Sequence, residues 1–118
     1  MKNLQMSLKK QWFEMTKLGI KTEDYREITD YWVNRLCDKL PFCCVGGNLT
    51  HKHSGREFVF KKFDNNIMTL GYPKTGDSER ILKLEHKGIE IRAGNPDWGA
   101  EEGKLYFVIL HGLQRNEA

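Results

Sequence analysis

The hydrophobic positions change their spacing several times along the chain, and each change predicts a new element. The segment "LQMSLK" (4–9) reads as a short buried strand. The next segment, "KKQWFEMTKLG", places Trp12, Met15 and Leu18 three residues apart, which predicts a helix of about ten residues with these three on its buried face. Gly19 follows, and a glycine there is a common helix end. The chain is thus predicted to begin as strand, helix and glycine turn.

A second strand and a second helix follow the glycine turn. The stretch "DYREI" (24–28) alternates apolar and polar residues, which predicts a strand. Thr29 or Asp30 can then cap a helix. Its apolar positions follow the i, i+3, i+4, i+7 spacing, at Val33, Leu36, Cys37 and Leu40. Pro41 is predicted to end this helix.

The second half of the chain is predicted to consist of strands. Residues 41–56 have no consistent period and read as a long loop, which we expect to be mobile. Five strand-like segments follow, "EFVFKKF", "IMTLGY", "RILKLEH", "GIEIR" and "LYFVILHG", with turn clusters such as "DNN" and "HKG" between them. Closely spaced strands of this kind predict an antiparallel β barrel. The predicted fold class is therefore α+β, with two short helices and a barrel in one domain spanning residues 1–118.

Length and composition limit the classes of function. A chain of 118 residues that is 39% hydrophobic suffices for one domain core. No apolar run approaches the roughly 18 residues of a membrane span, so we expect a cytoplasmic protein with no membrane partner. The three cysteines are an odd number and two are adjacent, which favours a reducing compartment.

The charge is mildly basic and uneven. A formal net charge of +3 does not by itself indicate nucleic-acid binding. Lys9, Lys10, Lys17 and Lys21 all lie in the first quarter, and a positive face there would attract phosphates. An ordinary mixed surface is the alternative.

The segment "GIKTEDYR" (19–26) carries the densest candidate chemistry. Strand alternation places Asp24 and Arg26 on one face, where Arg26 offers a planar fork for a phosphate or a base edge. Lys21 can supply a fixed charge or, if its pKa were lowered, an amine nucleophile or base. The alternative is that Asp24 and Arg26 form a structural ion pair. Asp24 favours a charged Lys21, so we expect binding rather than cleavage.

Other candidates lie outside this segment. Lys9 is a candidate phosphate contact, and Trp98, in a glycine-flanked turn, is either a cap or a base-stacking platform. Trp12 and Trp32 are interpreted as packing residues, and so is Tyr25. The group Cys43, Cys44, His51 and His53 has poor spacing for zinc, so neither a metal nor a cofactor is predicted.

The residues 19–26 resemble the G-x-K-x-x-E-x-R signature of ASCH domains, and "GNPDWGAEEGKLYFVILHG" (94–112) is similar to the closing segment of small bacterial or phage ASCH proteins. The resemblance implies a PUA-like β barrel flanked by helices, with a cleft that binds RNA or a nucleotide. It also implies an alternative, a small hydrolase similar to the N4-acetylcytidine amidohydrolases. The glutamate of the signature is replaced by Asp24, with Glu23 and Glu27 beside it, and which carboxylate faces the cleft stays open.

Two hypotheses about function follow. The first is a nucleic-acid-binding module, most plausibly for RNA, that uses Lys9, Lys21, Arg26 and Trp98. The second is the hydrolase, with Lys21 as nucleophile or base and Asp24 beside it. Where those amidohydrolases have a catalytic threonine, this chain has Asp24, and no later glutamate matches theirs. A cleft for a free nucleotide is a third outcome.

Overall fold

The computed structural model describes residues 2–39, 59–74, 76–77 and 79–115, with the backbone alone at 38 and 39. In chain order the elements are β1 (Asn3–Leu8), α1 (Lys10–Lys17), β2 (Glu23–Arg26), α2 (Asp30–Leu36), β3 (Cys37–Lys39), β4 (Val59–Phe60), β5 (Asn65–Leu70), β6 (Ile81–Ala93), a 3-10 helix (Pro96–Trp98) and β7 (Leu105–Gln114). Five strands form one sheet in the order β1-β5-β6-β7-β2, and β3 pairs with β4 in a second sheet. The predicted α+β class with two α-helices is confirmed.

The large sheet is mixed, which corrects the prediction that it is antiparallel throughout. β1 runs parallel to β5, in a register from Asn3 opposite Asn65 to Leu8 opposite Leu70. β5 and β6 are antiparallel, with Asn66 opposite Leu84. The prediction failed because turn residues report only the pairing of strands that follow each other, and β1 pairs with a strand far along the chain.

The predicted turn "HKG" lies inside a strand. "RILKLEH" and "GIEIR" were predicted as two strands, but β6 is continuous over 13 residues. Gly88 has a φ of 133°, a value that side chains rarely adopt, so glycine permits the strand to continue here. The cluster "DNN" was also assigned to a turn, whereas Asn65 and Asn66 begin β5 and are buried.

Helix α1 is shorter than predicted and buries a different face. It covers eight residues, and its buried side chains are Phe13 and Thr16. The predicted face of Trp12, Met15 and Leu18 was wrong: the first two are half-buried, and Leu18 lies beyond the helix with 74% of its surface exposed. The predicted stop is confirmed, since Gly19 has a φ of 80°. Trp12 and Met15 are three residues apart, and so are Phe13 and Thr16, so the spacing alone fits either of two neighbouring helix faces. Tertiary contacts determine which of these two faces is buried.

Helix α2 begins as predicted and ends early. The Thr29 hydroxyl accepts a hydrogen bond from the Trp32 backbone N–H at 3.4 Å, which confirms it as the cap. The helix ends at Leu36, and Cys37 already belongs to β3. The predictions for Leu40 and for residues 41–56 lie outside the described residues, and so does the cysteine and histidine group whose spacing is poor for zinc.

The chain divides into two compact units, each built from segments distant in sequence. The first contains Met1–Asp24, Lys62–Gly88 and Ile109–Ala118, and the second contains Tyr25–Lys61 and Ile89–Val108. In the first unit the polar side chains of β1 are exposed, while its apolar side chains Leu4, Met6 and Leu8 are buried and share the unit's core with Phe13 and Met68. In the second, Val33, Leu36 and Phe107 are buried, and the Phe60 ring meets that of Phe107 edge-on at 5.8 Å. Neither helix of the described chain is long and apolar enough to cross a membrane.

Candidate functional sites

Lys21 is buried in the first unit, directly after the end of α1. Its backbone N–H donates to the carbonyl of Met15 at 3.2 Å, and only 2% of its side chain is exposed. The Nζ ammonium donates to the carbonyl of Glu23 at 2.7 Å and forms a close ion pair with Oδ1 of Asp24. The ring of Trp12 borders the site, with its centroid 5.8 Å from Nζ of Lys21. The motif lysine is therefore enclosed.

Asp24 connects this lysine to the last strand. Its second oxygen, Oδ2, lies 2.6 Å from Nε2 of His111. Burial alone raises the pKa of Asp24, but the hydrogen bond from His111 and the positive charge of Lys21 outweigh it and lower the pKa to about 2. Asp24 is thus a carboxylate at neutral pH, and the carboxylate favours the ammonium form of Lys21. This arrangement supports the expectation of a charged Lys21.

The polar chain continues from His111 through Asn66 to His86. The Nδ2 amide of Asn66 lies 2.8 Å from Nδ1 of His111 and donates to the carbonyl of Leu110 at 3.2 Å. On its other side, Oδ1 of Asn66 lies 2.7 Å from Nδ1 of His86. We call Asp24, His111, Asn66 and His86 the buried relay. All four belong to the first unit.

The Leu110 carbonyl fixes the direction of every hydrogen bond in the relay. A carbonyl only accepts, so the side-chain atom of Asn66 that faces it must be the N–H2 group. That group also faces Nδ1 of His111, which must then accept, leaving the His111 proton on Nε2 for Asp24. The oxygen of Asn66 accepts in turn from Nδ1–H of His86. The His111 ring thus accepts at Nδ1 and donates from Nε2, and the His86 ring donates from Nδ1.

His86 lies at the outer end of the relay. Its ring is half-buried and packs edge-on against Phe63, with centroids 5.3 Å apart. Burial lowers its pKa, and the neighbouring His111 lowers it further. His86 is consequently neutral near pH 7.

The three acidic residues that follow Lys21 in the sequence, Glu23, Asp24 and Glu27, differ in their partners. Glu27 is exposed and pairs with Lys104 at 2.7 Å, while Glu23 offers Lys21 its backbone carbonyl. Asp24 is the carboxylate that pairs with the lysine. Strand alternation did not predict this, since neighbouring residues Glu23 and Asp24 are both buried.

Arg26 belongs to the second unit, where it lies beside an aromatic side chain of α2. Its guanidinium carbon is 5.2 Å from the ring centroid of Trp32, and the guanidinium of Arg35 is 5.0 Å from the same centroid. Arg35 also lies 5.9 Å from the ring of Tyr31, which meets Trp32 edge-on at 5.1 Å. We call Arg26, Tyr31, Trp32 and Arg35 the arginine–aromatic cluster. Tyr31 is 62% exposed, and the other three are half-buried.

The remaining predicted residues occupy separate places. Lys9 is exposed in the first unit, and its carbonyl accepts from the Phe13 N–H at the start of α1. Trp98 is half-buried at the end of the 3-10 helix in the second unit. Tyr25 packs against Tyr106 with ring centroids 5.7 Å apart, as predicted for a packing residue. The structure thus joins Lys21 to Asp24 and places Arg26 beside Trp32.

Asn66, His86 and His111 are site residues that the sequence did not reveal. Asn66 was assigned to a turn, and the two histidines lie in segments read only as strands. A weak signal existed, because a polar histidine inside the apolar run "LYFVILHG" requires a hydrogen-bond partner if it is buried.

A cleft of about 290 Å³ also lies in the first unit, beside the β5–β6 connection, and its lining includes Gln5, Thr69 and Tyr72 but no relay residue. Within the described ranges, no three His, Cys, Asp or Glu side chains are grouped to hold a metal ion. No family model matches the chain, and neither a curated protein nor a solved structure matches it.

Proposed function

We propose that this protein binds single-stranded nucleic acid, RNA in particular, or a nucleotide, and that the arginine–aromatic cluster makes the contact. The proposal also draws on the resemblance to ASCH domains and to the PUA-like barrel that they imply. The observation that carries it is the position of the Arg26 and Arg35 guanidinium groups near the ring of Trp32.

The chemistry of this cluster suits unpaired bases. Planar guanidinium groups and aromatic rings both stack on bases, and every base has a face that accepts such stacking. Arginine also binds phosphate oxygens through two parallel N–H donors. Tyr31 and Trp32 are adjacent on α2, and Arg35 lies three residues after Trp32 on the same helix. The exposed Tyr31 gives a base access to this cluster.

The binding role of Lys21 differs from that of the cluster. Its ammonium is enclosed by Asp24 and the Glu23 carbonyl, so its direct contact with a phosphate would require the segment to open. Lys9 and Trp98 remain candidate contacts, Lys9 being exposed and Trp98 half-buried.

The test measures the anisotropy of a short fluorescein-labelled single-stranded RNA of mixed sequence. Trp32→Ala should weaken binding by roughly 5- to 150-fold, the equivalent of the 1–3 kcal/mol of one stacked base. Trp32→Phe retains a ring and should retain most of the affinity. Arg35→Ala should lower the slope of log affinity against log salt by about 0.7, the value for one phosphate contact on a single strand.

Arg80→Ala is the matched control, because it removes the same charge from an exposed arginine that lies outside the cluster and pairs with Asp77. It should leave the affinity nearly unchanged. Equal losses for Arg80→Ala and Arg35→Ala would mean that only net charge is sensed. Absence of RNA binding at low salt would end the proposal.

A small hydrolase is the second candidate, favoured by the direct pairing of Lys21 with Asp24 and of Asp24 with His111. The enclosed ammonium opposes it, because an amine nucleophile must be neutral and reachable. We expect the parent protein to release no acetate from N4-acetylcytidine. Release by the parent and by Lys17→Arg, an exposed control, together with none from folded Lys21→Arg, would establish the hydrolase instead.

A further inference from the structure

Two positive charges lie beside one ring in the arginine–aromatic cluster. The guanidinium carbon of Arg26 is 5.2 Å from the centroid of the Trp32 ring, and that of Arg35 is 5.0 Å from the same centroid. The face of an aromatic ring attracts cations, so one indole holds both groups although their charges repel each other. An anion bound to both would offset this repulsion. The arrangement therefore favours an anion that carries more than one negative charge.

We propose that the arginine–aromatic cluster binds a terminal phosphate, the phosphomonoester at the end of an RNA or on a free nucleotide, in preference to the phosphodiesters inside a chain. This specificity rests on the proposed function and names the part of the nucleic acid that the cluster recognises. A phosphomonoester carries a charge of about −1.5 to −2 at neutral pH, whereas each phosphodiester carries a single negative charge.

The contacts of the two guanidinium groups define their positions. Arg26 donates from Nη1 to the carbonyl of Tyr25 at 2.9 Å, and the guanidinium of Arg35 also lies 5.9 Å from the ring centroid of Tyr31. Both arginines are half-buried, which limits their rotamers. Stacking uses the face of a guanidinium, whereas hydrogen bonds to phosphate oxygens use the N–H groups along its edge. Stacking on the indole is therefore compatible with phosphate binding by the same arginine.

The acidic residue that follows Arg26 in the chain has a cation beside it. Glu27 is exposed and pairs with Lys104 at 2.7 Å. Because this ion pair is neutral as a whole, it subtracts little from the positive potential of the two arginines.

A terminal nucleotide also suits the aromatic part of the cluster. A base at the end of a chain has a neighbour on one side only, so its other face can stack on a protein ring. Tyr31 is 62% exposed and directly precedes Trp32 in the sequence. The cluster thus offers cations to the phosphate and an accessible ring to the base of one nucleotide.

Competition against the fluorescein-labelled RNA tests the preference. Unlabelled short RNAs of one sequence carry a 5′-phosphate, a 3′-phosphate, a 5′-phosphate methyl ester, or hydroxyl groups at both ends. The methyl ester keeps the phosphate but removes its second charge. At least one terminal phosphate should compete roughly tenfold more strongly than the ester and the hydroxyl ends, the gain expected from one charge-assisted hydrogen bond. Equal competition by all four RNAs would overturn the terminal-phosphate specificity and leave the proposed function standing.

Uridine monophosphate and uridine, titrated directly by calorimetry, distinguish a free nucleotide from an RNA end. The monophosphate should bind more tightly than uridine. If it binds as tightly as the phosphorylated RNA, the site belongs to a free nucleotide, and if it binds far more weakly, the site belongs to an RNA end. If neither RNA nor uridine monophosphate binds at low salt, both the specificity and the proposed function are wrong.

Arg35→Gln removes one of the two charges and should abolish most of the preference for a terminal phosphate, whereas Arg35→Lys keeps the charge and should retain part of it. The matched control is Arg80→Gln, an exposed arginine of the first unit that pairs with Asp77, and it should leave the preference unchanged. The same preference in the parent and in Arg35→Gln would reject the cluster as the phosphate site. The comparison of RNA ends in the parent decides the specificity even if Arg35→Gln does not fold.

Discussion

At the scale of single residues, the most constrained feature is the buried pair of Lys21 and Asp24. Both side chains are almost wholly buried. One oxygen of Asp24 pairs with Lys21 and the other with His111, and the Lys21 ammonium also donates to the Glu23 carbonyl. A buried charge is tolerated only when it is paired and hydrogen-bonded. The motif residues thus stabilise their own segment whatever ligand the protein binds.

Breaking this pair should be more damaging than replacing it. Lys21→Met leaves the Asp24 carboxylate buried beside His111 alone, and we expect a loss of about 3–5 kcal/mol in the free energy of unfolding. The double variant Lys21→Met/Asp24→Leu should lose less than the sum of its two single variants, as urea titration would measure. Strict additivity would show that the two side chains are not coupled.

Stability should fall on acidification in two separate ranges. The pKa of His86 is lowered in the folded state, so the unfolded chain takes up its proton first and stability falls as the pH drops through about 6.5. Asp24 contributes stability above its unfolded pKa of 3.8, and this contribution of about 2 kcal/mol is lost as the pH falls toward its folded pKa of about 2.

Urea titrations across pH separate the two groups. His86→Gln should remove the loss of stability near pH 6.5 and keep the loss at strongly acidic pH, and Asp24→Asn should do the reverse. A flat profile between pH 7 and pH 5 in the parent would contradict the assignment to His86.

At the scale of elements, local signals predicted the start of α2 and the glycine after α1, whereas the end of α2 and the buried face of α1 differ from the predictions. Thr29 caps α2 and Gly19 follows α1 because capping and positive φ depend on neighbouring residues only. The buried face of α1 is set by Phe13 and Thr16, which no local rule distinguishes from the predicted face. β6 continues through Gly88, where composition alone suggested a turn.

Gly88→Ala tests this reading of β6. A Cβ at Gly88 would meet no atom within 4 Å, so the effect is backbone strain at φ 133° rather than a clash. We expect a loss of about 1–3 kcal/mol in the free energy of unfolding. Lys87→Ala, an exposed neighbour in the same strand, should change stability by less than about 0.5 kcal/mol. Equal stability of the parent and Gly88→Ala would show that β6 relaxes there.

At the scale of the whole molecule, pairings between distant segments determine the sheet and its chemistry. β1 pairs with β5, and Asp24 meets His111 across 87 positions of sequence. The net charge of +3 is too small to predict binding of RNA, so the position of Arg26 and Arg35 around Trp32 carries that proposal.

The sequence by itself determined the α+β class and the strand–helix–glycine beginning, and it limited the cap of α2 to Thr29 or Asp30, because each depends on residues close together in the chain. Only the tertiary structure decided that β1 runs parallel to β5, that Asp24 is joined to His111, and that Asn66 is a buried strand residue. These features depend on which distant segments are brought together, and the spacing of polar and apolar residues records each segment's own burial but not the identity of its neighbour.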